Sequence, residues 1–262
     1  MNINDMFNIK GKLALVTGGG RGIGKCMAQG LAEAGVNLII ASRKKKNLDE
    51  TAAEITSKCG VEVQTVVCDV GKIEDIDNLV EIATKNGKKI DILLNNAGVT
   101  WGAPTLEFPL EKWDQVFNVN VRGVWYLTQK IANHMKENGG GNIINVSSIW
   151  AFRGSYEKIH PAIAYNTTKA SINLLTMNLA VKLAPYKIRV NAIAPGLFPA
   201  GMMAYVVNKN FEEDYSELMK MVPMQRFGEP DDLKAVAVFL ASNASAYITG
   251  HVLAVDGGFL AR

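Results

Sequence analysis

The chain has 262 residues, enough for one large α/β domain or two small ones, and enough to build a core without disulfide or metal staples. It is 48% hydrophobic and 20% charged, which excludes a disordered protein, and a net charge of +3 with no long basic helix argues against a nucleic-acid partner. Cys26, Cys59 and Cys68 are scattered, odd in number and free of Cys-x-x-Cys spacing, so reduced thiols in a cytoplasmic setting are expected.

The first residues, MNINDMFNIKGKLALVTGGG, place an acid before the first lysine and reach glycines after a short apolar run, unlike a signal peptide. No apolar run approaches the roughly 18 residues of a membrane span, so no membrane partner is expected. Lys12–Thr17 reads as a short buried strand. Gly22–Ala34 carries Ile23, Met27 and Leu31 at helical spacing, and Gly35 closes it. Val36–Ala41 predicts a second strand. Asn47, with Glu50 three residues on, predicts the N-cap of the next helix, and Gly60 its C-terminal stop. Val61–Val67 is a third strand, Ile73–Lys85 a helix and Asp91–Leu94 a fourth strand. One long helix is expected from Leu110 to Lys136, then a strand at Asn142–Val146 and a helix over Ala162–Leu183. Strand Ile188–Ala194 precedes an irregular stretch, 195–229. Pro230, with Asp231 and Asp232 in the first turn, opens a further helix, and His251–Val255 is the last strand.

Apolar strands alternating with helices of this length predict a parallel sheet of about seven strands, covered on both faces. Right-handed crossovers make it a doubly wound, Rossmann-like α/β fold. No repeat, low-complexity tract or linker divides residues 1–262, which are read as a single domain.

Between the first strand and first helix lies Thr17-Gly18-Gly19-Gly20-Arg21-Gly22-Ile23-Gly24. Backbone amides at a helix N-terminus, unobstructed by side chains, make an anion site suited to a pyrophosphate. The glycines fall at Gly18, Gly22 and Gly24, not in the G-x-G-x-x-G order, and no Gly-Lys-Ser/Thr makes a P-loop. A tight strand-to-helix turn is the plain alternative. In dinucleotide folds an acid about 20 residues beyond the loop holds the ribose 2′-hydroxyl, while an arginine there accommodates a 2′-phosphate. Here the second strand runs into Ser42-Arg43-Lys44-Lys45-Lys46, with no acid until Asp49. Ser42 and Arg43, joined by Arg21, therefore suit a 2′-phosphate, and NADP(H) is favoured over NAD(H).

Tyr165 and Lys169 stand four residues apart in a predicted helix, on one face, downstream of the pair Ser147-Ser148. A phenol near an ammonium is an acid/base unit, because the positive charge stabilises the phenolate. Taken alone, such a pair more commonly marks a solvated helix face.

With the glycine loop, Asn95-Asn96-Ala97-Gly98 after the fourth strand and Tyr165-x-x-x-Lys169 complete a set that resembles the short-chain dehydrogenase/reductase family from about residue 11 onward. Cys68-Asp69-Val70, Asn118-Val119-Asn120, Pro195-Gly196 and Asp256-Gly257-Gly258 also match. The resemblance implies a catalytic tetrad of Asn120, Ser148, Tyr165 and Lys169. Tyr165 would be the general acid, Lys169 would lower its pKa and bond the nicotinamide ribose, Ser148 would hold the substrate oxygen, and Asn120 would fix a water leading to Lys169. Asp69 and Val70 would flank the adenine, and Asn96, with Ala97 and Gly98, would lie beside the adenosine ribose. Pro195, Gly196 and Phe198 would neighbour the nicotinamide. Of the two serines the resemblance prefers Ser148, leaving Ser147 as a strand-end residue.

Phe198-Pro199-x-x-Met202 and a long interval of 17 residues from Ser148 to Tyr165 look most like 3-oxoacyl reductases of the rhamnolipid type and gluconate 5-dehydrogenases. The expected substrate is a small carbonyl or alcohol compound, with a ketone reductase preferred to a sugar or polyol dehydrogenase, and a non-catalytic dinucleotide-binding protein as the remaining alternative. Trp150, Phe152, Tyr156 and His160 are candidate contacts in the enlarged loop, for which a longer surface loop is the plain alternative. Ala200 stands where many relatives carry a threonine. The region 196–228, rich in methionine (Met202, Met203, Met219, Met221, Met224) with Tyr205 and Phe211, is expected to close over substrate. A homotetramer, or a dimer, built through helices 110–136 and 162–184 and the C-terminal strand is implied by the resemblance. No metal site is expected, since His134, His160 and His251 lack ligand spacing, and no G-x-S-x-G elbow marks a hydrolase.

Overall fold

The computed structural model describes residues 2–199 and 218–262. Seven parallel strands form one sheet in the order β3-β2-β1-β4-β5-β6-β7. They are β1 Leu13–Thr17, β2 Asn37–Ser42, β3 Val63–Val67, β4 Ile92–Asn95, β5 Gly141–Val146, β6 Ile188–Pro195 and β7 Val252–Val255. The helices that cover it are α2 Gly22–Glu33, α3 Lys45–Cys59, α4 Ile73–Thr84, α5 Leu110–Phe117, α6 Val124–Glu137, α7 Ile163–Leu183 and α8 Pro230–Ala241. A short α1, Ile3–Phe7, precedes them, with a capping box between Asn2 and Asp5 that the apolar pattern gave no reason to expect.

Strand residues alternate between two apolar layers, which is why both faces must be covered. Ala14, Val16, Leu38, Ile40, Leu94 and Ile144 pack with Met27, Leu31, Leu233 and Leu240 on one face. Leu15, Ile39, Leu93, Ile143 and Val190 pack with Ile76, Leu79, Leu127, Ile131 and Leu179 on the other. Each such fully buried Leu or Ile contributes about 1.5–3 kcal/mol.

Two expectations are corrected. Asn47 is not an N-cap: α3 begins three residues earlier than that cap implies, with Lys44 at the cap and no side-chain cap bond. Asn47 instead packs beneath the glycine loop, where a Cβ added to Gly20 would meet its Cβ at 3.4 Å, so tertiary packing overrides the local capping signal. The expected single helix from 110 to 136 is interrupted by a π-helical turn, Asn118–Gly123, between α5 and α6.

The chain reverses its winding between β1 and β4, because β2 and β3 lie on one side of β1 while β4 to β7 follow on the other. In open α/β sheets the crevice at the carboxyl ends of the strands beside this switch is where ligands bind.

Candidate active site

A cavity of about 470 Å³ occupies that crevice. Its floor is the glycine turn. Gly18 and Gly22 have φ of 66° and 58°, backbone that side chains resist. The side chain of Asn96 braces this turn, with its Nδ2 donating to the carbonyls of Thr17 at 3.0 Å and Gly18 at 3.2 Å. A Cβ on Gly24 would collide with that amide and with the Gly18 carbonyl. Asn96 thus works as a clamp on the loop while also lining the cavity. Thr17, which sequence reasoning passed over, completes the clamp: its Oγ1 accepts the N–H groups of Asn96 and Ala97, each at 3.1 Å.

The N-terminus of α2 has no side-chain cap, so its orphan N–H groups are free for an anion. Gly18, Gly20, Arg21, Gly22, Ile23 and Gly24 line the cavity, as do Ser42, Arg43, Asp69, Val70, Ala97 and Gly98. Lys44 and Asn47 join them; the former was legible only as part of a basic run. Lys45 and Lys46 are neutralised by Asp49 and Glu50 one turn on, at 2.7 and 3.9 Å. Arg21, Arg43 and Lys44 form no ion pair among the described residues. Arg43 and Lys44 follow β2 and Arg21 precedes α2, so the cavity is lined by three cations without an ion pair among the described residues.

At the other end, β5 delivers the two serines and α7 delivers the tyrosine and lysine. Ser147 turns away: its Oγ donates to Asn173 Oδ1 at 2.5 Å and lies 3.2 Å from the Lys169 carbonyl. Ser148 keeps its hydroxyl beside the phenol of Tyr165, accepting only a 3.3 Å bond from the Trp150 N–H. Lys169 Nζ donates to the Val146 carbonyl at 2.7 Å and lies 5.5 Å from the centre of the Tyr165 ring. Burial pushes the phenol up to about 12, with the Ser148 hydrogen bond pulling the other way. Burial also lowers Lys169 to about 8.

Asn120 sits in the π-helical turn, and its widened backbone carries the amide to Val99. Asn120 Oδ1 accepts the Val99 N–H at 2.8 Å, while Nδ2 donates to the Val99 carbonyl at 2.9 Å and to Thr168 Oγ1 at 3.0 Å. It makes no direct bond to Lys169. Gly98 leaves room for both, since an added Cβ would lie 3.3 Å from Asn120 Oδ1 and 3.7 Å from Lys169 Nζ.

The wall over Tyr165 is a sequence of rings. Trp150 stacks on His160 at 4.6 Å, and His160 lies tilted 5.9 Å from Tyr165. Behind Trp150, Phe259 packs edge-on at 5.5 Å, fully buried. Asp256 fixes Phe259 by accepting the N–H groups of Gly258 and Leu260, both at 2.9 Å. Pro195, Gly196, Leu197 and Phe198 close the cavity beside them. Of the candidate loop contacts, Trp150 and His160 line the cavity, whereas Phe152 and Tyr156 are exposed and do not. Trp101 lies under the Lys112 ammonium and also stays outside. Ala200, Met202, Met203, Tyr205 and Phe211 lie outside the described residues. No cluster of metal-ligating side chains occurs among the described residues.

A doubly wound sheet with a bare glycine turn, and a cavity at its switch point lined by Ser148, Tyr165 and Lys169, is the architecture of a dinucleotide-dependent oxidoreductase. The chain belongs to the short-chain dehydrogenase/reductase family and acts on CH–OH and C=O groups with NAD(P). Residues 18–260 match the family model described as enoyl-(acyl carrier protein) reductase. The chain is 39% identical over 260 residues to 2-dehydro-3-deoxy-D-gluconate 5-dehydrogenase of Bacillus subtilis, covering 99% of each protein. It is 34% identical over 259 residues to the rhamnolipids biosynthesis 3-oxoacyl-[acyl-carrier-protein] reductase of Pseudomonas aeruginosa, covering 97% of this chain and 98% of that one. Among solved structures, a gluconate 5-dehydrogenase from Burkholderia cenocepacia in complex with NADP and tartrate superposes with a TM-score of 0.91 at 33% identity, over 100% of both chains.

Proposed function

We propose that the protein reduces a ketone, a 3-oxoacyl or related carbonyl compound, to the secondary alcohol with NADPH. The observation that carries this reading is the lining of the Tyr165 end of the cavity. Trp150, Ile159, Pro161, Ala162, Leu197, Phe198 and Leu218 make it predominantly apolar. Apart from Lys169, bonded to Val146, the described residues there offer no cation for a sugar acid. The second reading, a sugar or polyol dehydrogenase, is favoured by the names of the gluconate-type relatives.

Cofactor fit rests on the uncapped start of α2, the side-chain-free turn and Arg21, Arg43 and Lys44, which have no ion pair among the described residues. These groups would hold pyrophosphate and 2′-phosphate, with Asp69, Val70 and Asn96 toward the adenosine and Pro195, Gly196 and Phe198 toward the nicotinamide. When bound, the cofactor supplies the hydride. Tyr165 gives its proton to the substrate oxygen as the alkoxide forms, an acceptor more basic than phenolate. Its pKa of about 12 keeps it in the acid form across the neutral range. Ser148 would hold the same oxygen, Lys169 would bond the nicotinamide ribose, and Asn120 would order a water toward Lys169.

Steady-state assays on a panel of ketones and polyols with both cofactors test the reading. NADPH-dependent ketone reduction is expected, and Tyr165→Phe should lower turnover by about 10²–10⁴-fold with cofactor binding intact. Polyol oxidation alone would reject the reductase. Arg43→Asp should weaken NADPH binding far more than NADH binding in fluorescence titrations; equal losses would reject the phosphate role.

The free thiols of Cys26, Cys59 and Cys68 support a cytoplasmic place of work. An exposed apolar stripe on α7, Leu174, Met177 and Val181, with Trp125 on α6, supports assembly as a homotetramer or dimer.

A further inference from the structure

Along the segment joining Trp150 to Tyr165, the cavity is lined by Ile159, Pro161 and Ala162 and by one imidazole, that of His160. This ring is held from several sides. It stacks on Trp150 with planes 19° apart, its backbone N–H donates to the Tyr156 carbonyl at 3.0 Å, and its own carbonyl accepts Ser155 Oγ at 3.1 Å. The neighbouring Pro161 carbonyl accepts the Ala103 N–H at 2.9 Å, which ties the segment to the loop after β4. Yet Nδ1 is buried with no partner, and no described residue bonds Nε2. A polar atom left unpaired in such a wall is destabilising, and a turn of the ring that presents it to a bound ligand removes that penalty. Burial holds His160 well below the ordinary histidine range, at about 4, so the ring is neutral at working pH and offers one donor and one acceptor without charge.

We propose that His160 is a specificity-determining residue that hydrogen-bonds a second, uncharged oxygen of the substrate, one or two carbons from the carbonyl that Tyr165 protonates. The proposal rests on Tyr165 as the proton donor. The ring centres of His160 and Tyr165 lie 5.9 Å apart, a separation that one small molecule spans. The chemistry required is that of a 1,3-dicarbonyl unit, as in a 3-oxoacyl thioester, or of a vicinal hydroxyl on a polyol. A carboxylate gains no ion pair from a neutral imidazole.

The test pairs substrates that differ in the second oxygen. A 3-oxoacyl thioester is compared with the monoketone of equal chain length, using NADPH, and a vicinal diol with the lone secondary alcohol, using NADP+. His160→Phe keeps a ring for Trp150 and removes both nitrogens. For this variant kcat/KM on the two-oxygen member should fall roughly 10–100-fold, mainly through KM, while the single-oxygen member changes less than about threefold. His160→Gln, which returns a donor and an acceptor, should recover part of the loss. His160→Leu repeats the comparison should the phenylalanine variant not fold, with NADPH fluorescence reporting an intact cofactor site. Equal losses on both members, or none, would make His160 mere wall and overturn the proposal. If the wild-type enzyme oxidises polyols and reduces no ketone, the reductase reading fails on its own, and the diol pair still decides His160.

Discussion

Lys169 is almost wholly enclosed, and the desolvation that lowers its pKa from 10.5 to about 8 gives the site a signature in stability. Between those values the unfolded chain binds the proton that the folded chain has released, so unfolding becomes harder as pH rises through that window. Below pH 8 both states are charged and the full burial penalty is present. Lys169→Met removes the titration. Urea midpoints at pH 7.5 and 9.5 should therefore show the wild type gaining on the variant at the higher pH, and parallel behaviour would contradict the buried ammonium. Identity at this scale was readable in advance: Tyr165, Lys169, Ser148 and the glycines all line the cavity. Their partners were not. Nothing in the string says that Asn96 clamps Thr17 and Gly18, because that contact joins β4 to β1 across an interval only folding closes.

At the scale of elements, strand and helix periodicity located the seven strands and the helices after them to within a residue or two. What periodicity missed were the places where one element yields to another. Asn47 lost its capping role to packing under Gly20, and the long helix opened into a π turn at Asn118–Gly123. The π turn ends at Gly123, where a Cβ would strike the Val70 carbonyl and approach Asn118 O at 3.4 Å. Helix and β3–α4 loop touch backbone to backbone there. Gly123→Ala should cost about 1–3 kcal/mol in denaturant unfolding by overpacking. Because Val70 lines the cavity, the same change should raise the cofactor dissociation constant in titrations. A variant as stable as the parent, with unaltered cofactor affinity, would show that the contact relaxes without consequence.

For the molecule as a whole, the apolar stripe on α7 is the feature a solitary chain does not explain: Val181 is 77% exposed and Leu174 62%. In sedimentation velocity the wild type should run as an oligomer, and Leu174→Glu with Val181→Glu should shift it toward the monomer mass. A monomeric wild type would end the assembly proposal. The rings that run from Phe259 through Trp150 and His160 to Tyr165 carry a different lesson. They connect the last turn of the chain to the reacting end of the cavity, although Phe259 touches no ligand space itself. A search for altered substrate range that randomises only cavity-lining codons would pass over it. Drift at the tail, through Asp256 or Phe259, has a route to selectivity that leaves the tetrad untouched.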